Sequence, residues 1–143
     1  MKFGLGYDLR NPKISGRPFE TLYAEFLDQC EWADKNGFDF VDLAEHHFVD
    51  DGYLPSPFGE AGAIAARTKR LRISLNLVLL PLRHPVQVAE DAAIVDIISN
   101  DRLDLTVGLG YREAEYEGLG ISMRQRGGRM EEGVQIIRKC WTE

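Results

Sequence analysis

The feature that most constrains the fold of this chain is a recurring unit of one apolar segment followed by one amphipathic segment. The strand-like apolar segments begin near residues 2, 38, 71 and 102, so the unit repeats at a nearly constant interval. Each of them is followed by a stretch with the apolar spacing of a helix. Parallel strands joined by right-handed helical crossovers pack such a string economically. The sequence therefore predicts an α/β chain of four βα units.

The residue patterns assign the individual segments. Strands are predicted over residues 2–7, 38–44, 71–80 and 102–107, and the third reads as a strand buried on both faces. The first helix is predicted from Phe19 to a stop at Gly37, and the second over residues 58–69 after Ser56-Pro57. The last helix is predicted around Met130 to Trp141. The third opens at His84-Pro85, and its predicted inner face consists of Val86, Ala89, Ala93, Ile94, Ile97 and Ile98.

Two folds are built from such units, and the length of 143 residues separates them only in part. A doubly wound open sheet is complete with a few strands, whereas a closed (β/α)8 barrel needs about 250 residues. No linker-like or low-complexity segment divides the chain, so residues 1–143 are predicted to form one domain. From length alone, this domain is either a small open sheet or the first half of a barrel.

Composition argues against several classes of function. A net charge of −6 leaves no basic surface to displace counterions from a phosphate backbone, which argues against a nucleic-acid partner. The apolar runs are shorter than the roughly 18 residues that span a bilayer, so no membrane segment is expected. The first residues reach charged side chains too early for a secretory signal. We therefore expect a cytoplasmic protein in which Cys30 and Cys140 are reduced thiols.

Groups that carry chemistry are expected after the carboxyl ends of the predicted strands. Tyr7 ends the first strand, and Glu45-His46-His47-Phe48 follows the second. Histidine exchanges a proton near neutral pH, and adjacent histidines in extended chain point to opposite sides, so at most one would face a pocket. A hydrogen-bonded pair at a strand end is the alternative. A metal site that uses the neighbouring carboxylates is disfavoured, because no third distant ligand or paired spacing supports it.

Two further positions point to a ligand at the same strand ends. Asn76 interrupts the apolar third strand, and a buried amide there needs a partner, either a ligand ring edge or the backbone. Gly108-Leu109-Gly110 follows the fourth strand, where glycines let the backbone approach a flat or phosphorylated ligand. Glu113 occupies the position of the third glycine of a dinucleotide fingerprint, and a tight βα turn explains the two glycines equally well.

An ordered series of short motifs covers the whole chain. It consists of Met1-Lys2-Phe3-Gly4, Asn36-Gly37-Phe38-Asp39, Glu45-His46-His47-Phe48, Leu80-Pro81-Leu82-Arg83-His84-Pro85-Val86 with Ala89-Glu90-Asp91, Ser99-Asn100-Asp101-Arg102-Leu103, Gly108-Leu109-Gly110-Tyr111, Gly118-Leu119-Gly120 and Arg129-Met130-Glu131-Glu132. In order and spacing this series resembles the bacterial luciferase-like superfamily of flavin-dependent monooxygenases and coenzyme F420-dependent oxidoreductases. The resemblance implies that the chain is the (β/α)4 amino-terminal half of a TIM (β/α)8 barrel.

The resemblance also implies a site. It assigns the catalytic role to His46, beside the reactive edge of a flavin at the carboxyl ends of the strands. It implies a non-proline cis peptide bond or bulge at Asn76–Leu77, against the flavin ring. Together with the strand-end positions, it gives Tyr7, Glu45, Asn76, Leu77, Gly108 and Gly110 as the expected cofactor contacts, with no metal.

The activity implied is that of a monooxygenase, in which reduced FMN from a possible separate reductase reacts with O2 and a small organic substrate is oxidised. Hydride transfer with F420 and a non-catalytic flavin-binding half-barrel are the alternatives. Luciferase has a Cys-Arg pair after the fourth strand, with the arginine on the flavin phosphate, whereas this chain has Gly108 and Leu109. FMN and F420 are therefore not distinguished.

A half-barrel should not be self-sufficient. An arc of four strands leaves its first and last strands with unpaired edges, and its inner side chains lack an opposite layer. The chain is therefore expected either to pair with a second half, such as another copy of itself, or to be a truncation of a longer enzyme.

Overall fold

The computed structural model describes all 143 residues and is built on one parallel β-sheet. The strands are β1 (Gly4–Tyr7), β2 (Phe40–Leu43), β3 (Arg72–Leu79) and β4 (Leu103–Gly108), paired in chain order. Every pairing is parallel. The predicted α/β class and the sequential βα arrangement are confirmed, and β1 and β4 each have one unpaired edge.

Five α-helices accompany the strands. They are α1 (Phe19–Lys35), α2 (Pro57–Arg67), α3 (Pro85–Ser99), α4 (Glu113–Gly118) and α5 (Arg126–Thr142). Proline stands in the first turn of both α2 and α3, as predicted, although the side chain of Ser56 forms no capping hydrogen bond. The sequence did not predict α4. None of the helices is long and apolar enough to cross a bilayer.

The main core lies between the sheet and the helices. Val41 and Leu43 of β2 and Ile73 and Leu75 of β3 are completely buried there. Cys30 of α1 is also completely buried, and this burial raises the pKa of its thiol to about 12. Cys30 is therefore an unreactive core residue at neutral pH, whereas Cys140 is exposed.

The predicted inner face of α3 is wrong for its three isoleucines, whereas the predicted Ala89 is buried. The buried side chains of this helix are Val88, Ala89, Ala92, Val95 and Ser99. Ile94, Ile97 and Ile98 are instead 56%, 78% and 51% exposed. Apolar residues occur on both sides of α3, so spacing alone does not select the packed side. The small alanines permit a close approach to the neighbouring layer, which the isoleucines on the other face would not.

The face of the sheet that points away from the helices is polar and open. Asp42 of β2 lies beside Ser74 of β3, and Asn76 of β3 lies beside Thr106 of β4. The predicted burial of the Asn76 amide and of both faces of β3 is not seen within this chain, in which Asn76 is exposed. The reason is strand alternation, which puts Leu75 on the helix side and Asn76 on the opposite side.

Candidate functional site

The candidate site lies at the carboxyl ends of the strands, where α4 packs on the loop after β2. The ring of Phe48 lies directly over Gly118 of α4, leaving no room for a Cβ atom there. Arg112, just before α4, donates a hydrogen bond to the carbonyl of His47 at 3.3 Å. These contacts hold α4 against the Glu45-His46-His47-Phe48 segment and bring two histidines and two glutamates together.

His46 is oriented by a buried carboxylate. Its Nδ1 atom lies 2.8 Å from Oε1 of Glu115, whose side chain is 0% exposed. A carboxylate only accepts hydrogen bonds, so Nδ1 carries the proton and Nε2 is the remaining ring nitrogen, which forms no hydrogen bond in the structure. The rings of Tyr53 and Tyr111 meet the imidazole edge-on, at centroid distances of 4.7 and 5.7 Å. His46 is thus held in one orientation with one free nitrogen.

Glu115 accepts hydrogen bonds through only one of its two carboxylate oxygens. Its Oε1 atom also accepts the backbone N–H of His47 at 2.9 Å, and the Arg112 guanidinium lies 3.8 Å away. Its Oε2 atom is buried without a hydrogen-bond partner. A buried polar atom without a partner is uncommon and costs stability.

His47 is held by the other glutamate. Its Nε2 atom lies 2.8 Å from Oε1 of Glu45, which Arg83 also contacts through its guanidinium. The second oxygen of Glu45 accepts the N–H of Leu79 at 2.7 Å. Burial alone would raise the pKa of Glu45, but the hydrogen bond from His47 and the charge of Arg83 outweigh it and lower the pKa.

The contacts of Glu45 show a structural role. The residue is only 3% exposed, and both carboxylate oxygens accept donors from the protein. Glu45 therefore anchors the loop after β2 to the end of β3, and its cofactor contact stays a prediction.

A second group of predicted residues meets at the ends of β3 and β4. The Asn76–Leu77 peptide bond is cis, and the register between β3 and β4 shifts between Asn76 and Val78. A Cβ atom on Gly108 would lie 2.6 Å from a methyl carbon of Leu77, so the absence of a side chain there makes room for the leucine. Gly110 has a φ of +75°, a conformation that favours glycine. The structure thus brings Asn76, Leu77, Gly108 and Gly110 to one edge of the sheet.

Tyr7 faces the other way. Its ring packs edge-on against Phe26 of α1 at 4.7 Å, and its hydroxyl donates to Gln29 at 2.7 Å. The hydroxyl is thus paired with Gln29, and the cofactor contact of Tyr7 stays a prediction. The residue still borders a cavity at the tips of β1 and β2.

Sequence reasoning missed the partners of the histidines. Glu115 belongs to a helix of six residues, too short for a periodic apolar pattern, and Arg112 directly precedes this helix. Tyr53 and Arg83 reach the site from loops. The one usable signal was a glutamate directly before an apolar residue, Glu115-Tyr116, shortly after the glycines that end β4. No group of three or more His, Cys, Asp or Glu side chains is arranged to hold a metal ion.

Comparison with known proteins identifies the family. Residues 1–143 match the sequence model of the luciferase-like monooxygenase family. The chain belongs to this family. Among its relatives, the oxygenase component of the flavin-dependent trigonelline monooxygenase of Acinetobacter baylyi is 34% identical over 85% of this chain, which spans 34% of that protein. The family predicted from the motif series is therefore confirmed.

Solved structures confirm the fold. Monooxygenase RslO1 from Streptomyces bottropensis superposes with a TM-score of 0.92 and 34% identity over 100% of this chain, which covers 44% of that protein. Two further structures share the fold at 24% identity. They are the oxygenating constituent of 3,6-diketocamphane monooxygenase from Pseudomonas putida with FMN (TM-score 0.88, 99% of this chain and 39% of that one) and an F420-dependent secondary alcohol dehydrogenase (TM-score 0.77, 99% and 42%). The chain thus has the fold of part of a luciferase-like TIM barrel.

Proposed function

We propose that this chain forms the flavin-holding part of a luciferase-like monooxygenase that uses reduced FMN and O2 on a small organic substrate. The observation that carries the proposal is His46, which is fixed through Nδ1 by a buried carboxylate while Nε2 remains free. It lies at the same edge of the sheet as the Leu77–Gly108 contact. The relative from A. baylyi, which is named as a flavin-dependent monooxygenase, supports the choice of cofactor and reaction.

The residues at this edge fit a flavin ring. A flat tricyclic ring needs an apolar support, and the side chain of Leu77 beside the bare backbone of Gly108 offers one. Leu77, Gly108 and Gly110 would hold the ring, and the exposed amide of Asn76 would meet its polar edge. When bound, reduced flavin supplies the electrons that activate O2.

The part played by the protein side chains follows from the geometry. Glu115 keeps the proton on Nδ1 of His46, so proton exchange with a bound molecule takes place at Nε2. Tyr53 and Tyr111 flank the imidazole and limit its access to water. His46 is therefore the proposed general acid–base of the site, and Glu115 is its positioning residue.

Titration of the purified protein with FMN and F420, followed by oxygen consumption with enzymatically reduced FMN, tests the proposal. We expect FMN to bind, and His46→Ala to reduce protein-dependent oxygen consumption by about 10²-fold or more. His84→Ala is the matched control, because His84 is exposed at the start of α3 and forms no side-chain hydrogen bond.

The alternatives give different results. Reduction of F420 without oxygen would indicate a hydride-transfer enzyme instead of a monooxygenase. The sequence does not decide between the two cofactors, because Leu109 stands where luciferase has the arginine of its Cys-Arg pair. FMN binding without turnover would indicate a flavin-binding module. Binding of neither cofactor would overturn the proposal.

Partners and location are part of the same proposal. We propose that the open face and the free edges of β1 and β4 are covered by further βα units or by a second copy of the chain. A cytoplasmic location agrees with two free cysteines. A separate flavin reductase would supply the reduced cofactor.

A further inference from the structure

Asp42 is a carboxylate on the open face of the sheet without a cationic partner. Ser74 donates a hydrogen bond to its Oδ1 at 2.6 Å, and the amide nitrogen of Asn76 lies 3.5 Å from Oδ2. Asp42 takes part in none of the ion pairs of the structure. Its two hydrogen-bond partners are therefore neutral groups that orient the carboxylate.

Two arginines of this region are paired with other carboxylates. Arg10 pairs with Asp8 at 3.4 Å and with Asp51 at 3.5 Å. Arg72, one step below Ser74 on the same face of β3, pairs with Asp104 at 2.7 Å. Neither arginine is thus free to balance Asp42.

Space for a ligand lies next to this carboxylate. Gly6 is the β1 neighbour of Asp42, and a Cβ atom on Gly6 would meet nothing within 4 Å. A cavity of about 410 Å³ is bordered by Gly6, Asp42, Ala44 and Tyr53, among others. Tyr53 also packs edge-on against His46 at 4.7 Å, so the cavity adjoins the proposed acid–base.

We infer that Asp42 receives a cationic group of the substrate, such as an ammonium or another organic cation, and makes the enzyme select positively charged substrates. The inference rests on the proposed function, because it assumes that the substrate lies beside His46. Asp42 is a half-buried carboxylate whose donors fix its orientation, and its negative charge attracts an incoming cation. Asp8 and Arg10 border the same cavity, and the Arg10 guanidinium lies 4.9 Å from the centroid of the Tyr53 ring.

The test compares an organic cation with its uncharged isostere. N-methylpyridinium and toluene are titrated calorimetrically into the protein, with and without bound FMN, for the wild type and Asp42→Asn. We expect Asp42→Asn to weaken binding of N-methylpyridinium by about tenfold and to leave toluene unchanged. Asp91→Asn is the control, because it removes the same charge from an exposed position on α3 that forms no ion pair.

The outcomes separate the two proposals. Unchanged affinity of Asp42→Asn for N-methylpyridinium, or an equal loss for both probes, overturns the role of Asp42. Normal FMN binding in Asp42→Asn with selective loss of the cation supports it. Failure of the wild type to bind FMN counts against the proposed function, whereas the titrations without FMN still decide the role of Asp42. Thermal unfolding of both variants shows whether the fold is kept.

Discussion

Nδ1 of His46 lies 2.8 Å from Oε1 of Glu115, a contact between residues 69 positions apart in the sequence. Glu115 is fully buried and belongs to a short helix that Phe48 and Arg112 hold against the histidine loop. The orientation of the imidazole therefore depends on the docking of α4. A carboxylate that fixes a histidine through one ring nitrogen defines what the other nitrogen can do.

Replacement of Glu115 should change the tautomer and orientation of the His46 ring while the chain remains folded. Glu115→Ala leaves two donors without an acceptor, and we expect a loss of about 1–3 kcal/mol in the free energy of unfolding. We also expect a mixture of imidazole tautomers and about a tenfold or larger loss of oxygen consumption. Nitrogen NMR of labelled histidine and the oxygen assay measure these effects.

Glu115→Gln keeps an acceptor oxygen and should restore most of the tautomer preference. Glu117→Ala is the matched control, because Glu117 is exposed on the same helix. An unchanged His46 tautomer in Glu115→Ala would show that the carboxylate does not orient the ring.

The anchoring role of Glu45 predicts sensitivity to acid. Its pKa is lowered in the folded protein from an ordinary value of 4.5, so its contribution is fully present above that value. The contribution is lost as the pH falls through the lower, folded pKa. Glu45→Gln should therefore reduce the free energy of unfolding at pH 7 by about 3 kcal/mol and flatten its decline below about pH 4.5.

Urea unfolding at several pH values measures this difference. Glu90→Gln, at an exposed position on α3, should keep the wild-type pH dependence. Parallel curves for the wild type and Glu45→Gln between pH 7 and pH 3 would contradict the role assigned to Glu45.

The sequence predicted the framework of the fold because apolar residues recur along each strand and each long helix has a clear start or stop. It did not select the buried face of α3, since both faces are apolar and only packing distinguishes them. The orientation of Tyr7 toward α1 could have been predicted from strand alternation. Gly4 and Gly6 share one face of β1, so Leu5 and Tyr7 must share the other, toward α1.

The site was predicted only as far as its local motifs extend. His46, Leu77 and Gly108 stand at strand ends and within motifs shared with the family. The pairing of His46 with Glu115 joins two segments of different βα units, and no local pattern encodes it. The role of Glu45 was missed for the same reason, because Arg83 and Leu79 reach it from the next unit.

Gly108 tests the proposed flavin support. A valine there would collide with the methyl groups of Leu77, which would have to move off its position. We expect Gly108→Val to weaken FMN binding by about tenfold or more, because the displaced Leu77 side chain would occupy space that the flavin ring needs. Fluorescence quenching of FMN measures the affinity.

Gly62→Ala is the control for a glycine replacement outside the site. A Cβ atom at this position of α2 meets nothing within 4 Å, so we expect unchanged FMN binding and a gain of about 0.5–1 kcal/mol in stability. Wild-type FMN affinity in Gly108→Val would rule out this part of the proposed ring support.

The exposed isoleucines of α3 predict self-association. Ile94, Ile97 and Ile98 form one apolar surface, and Ile97 is 78% exposed. If a second copy covers this surface, Ile97→Glu should weaken association by about tenfold or more, because a charge enclosed in an apolar contact lacks a partner. Sedimentation velocity over a range of concentrations measures the association.

Ile14→Glu is the matched control, since Ile14 is 95% exposed in a short turn far from α3 in the sequence. A wild-type chain that sediments as a compact monomer at every concentration would show that α3 is not a contact between copies.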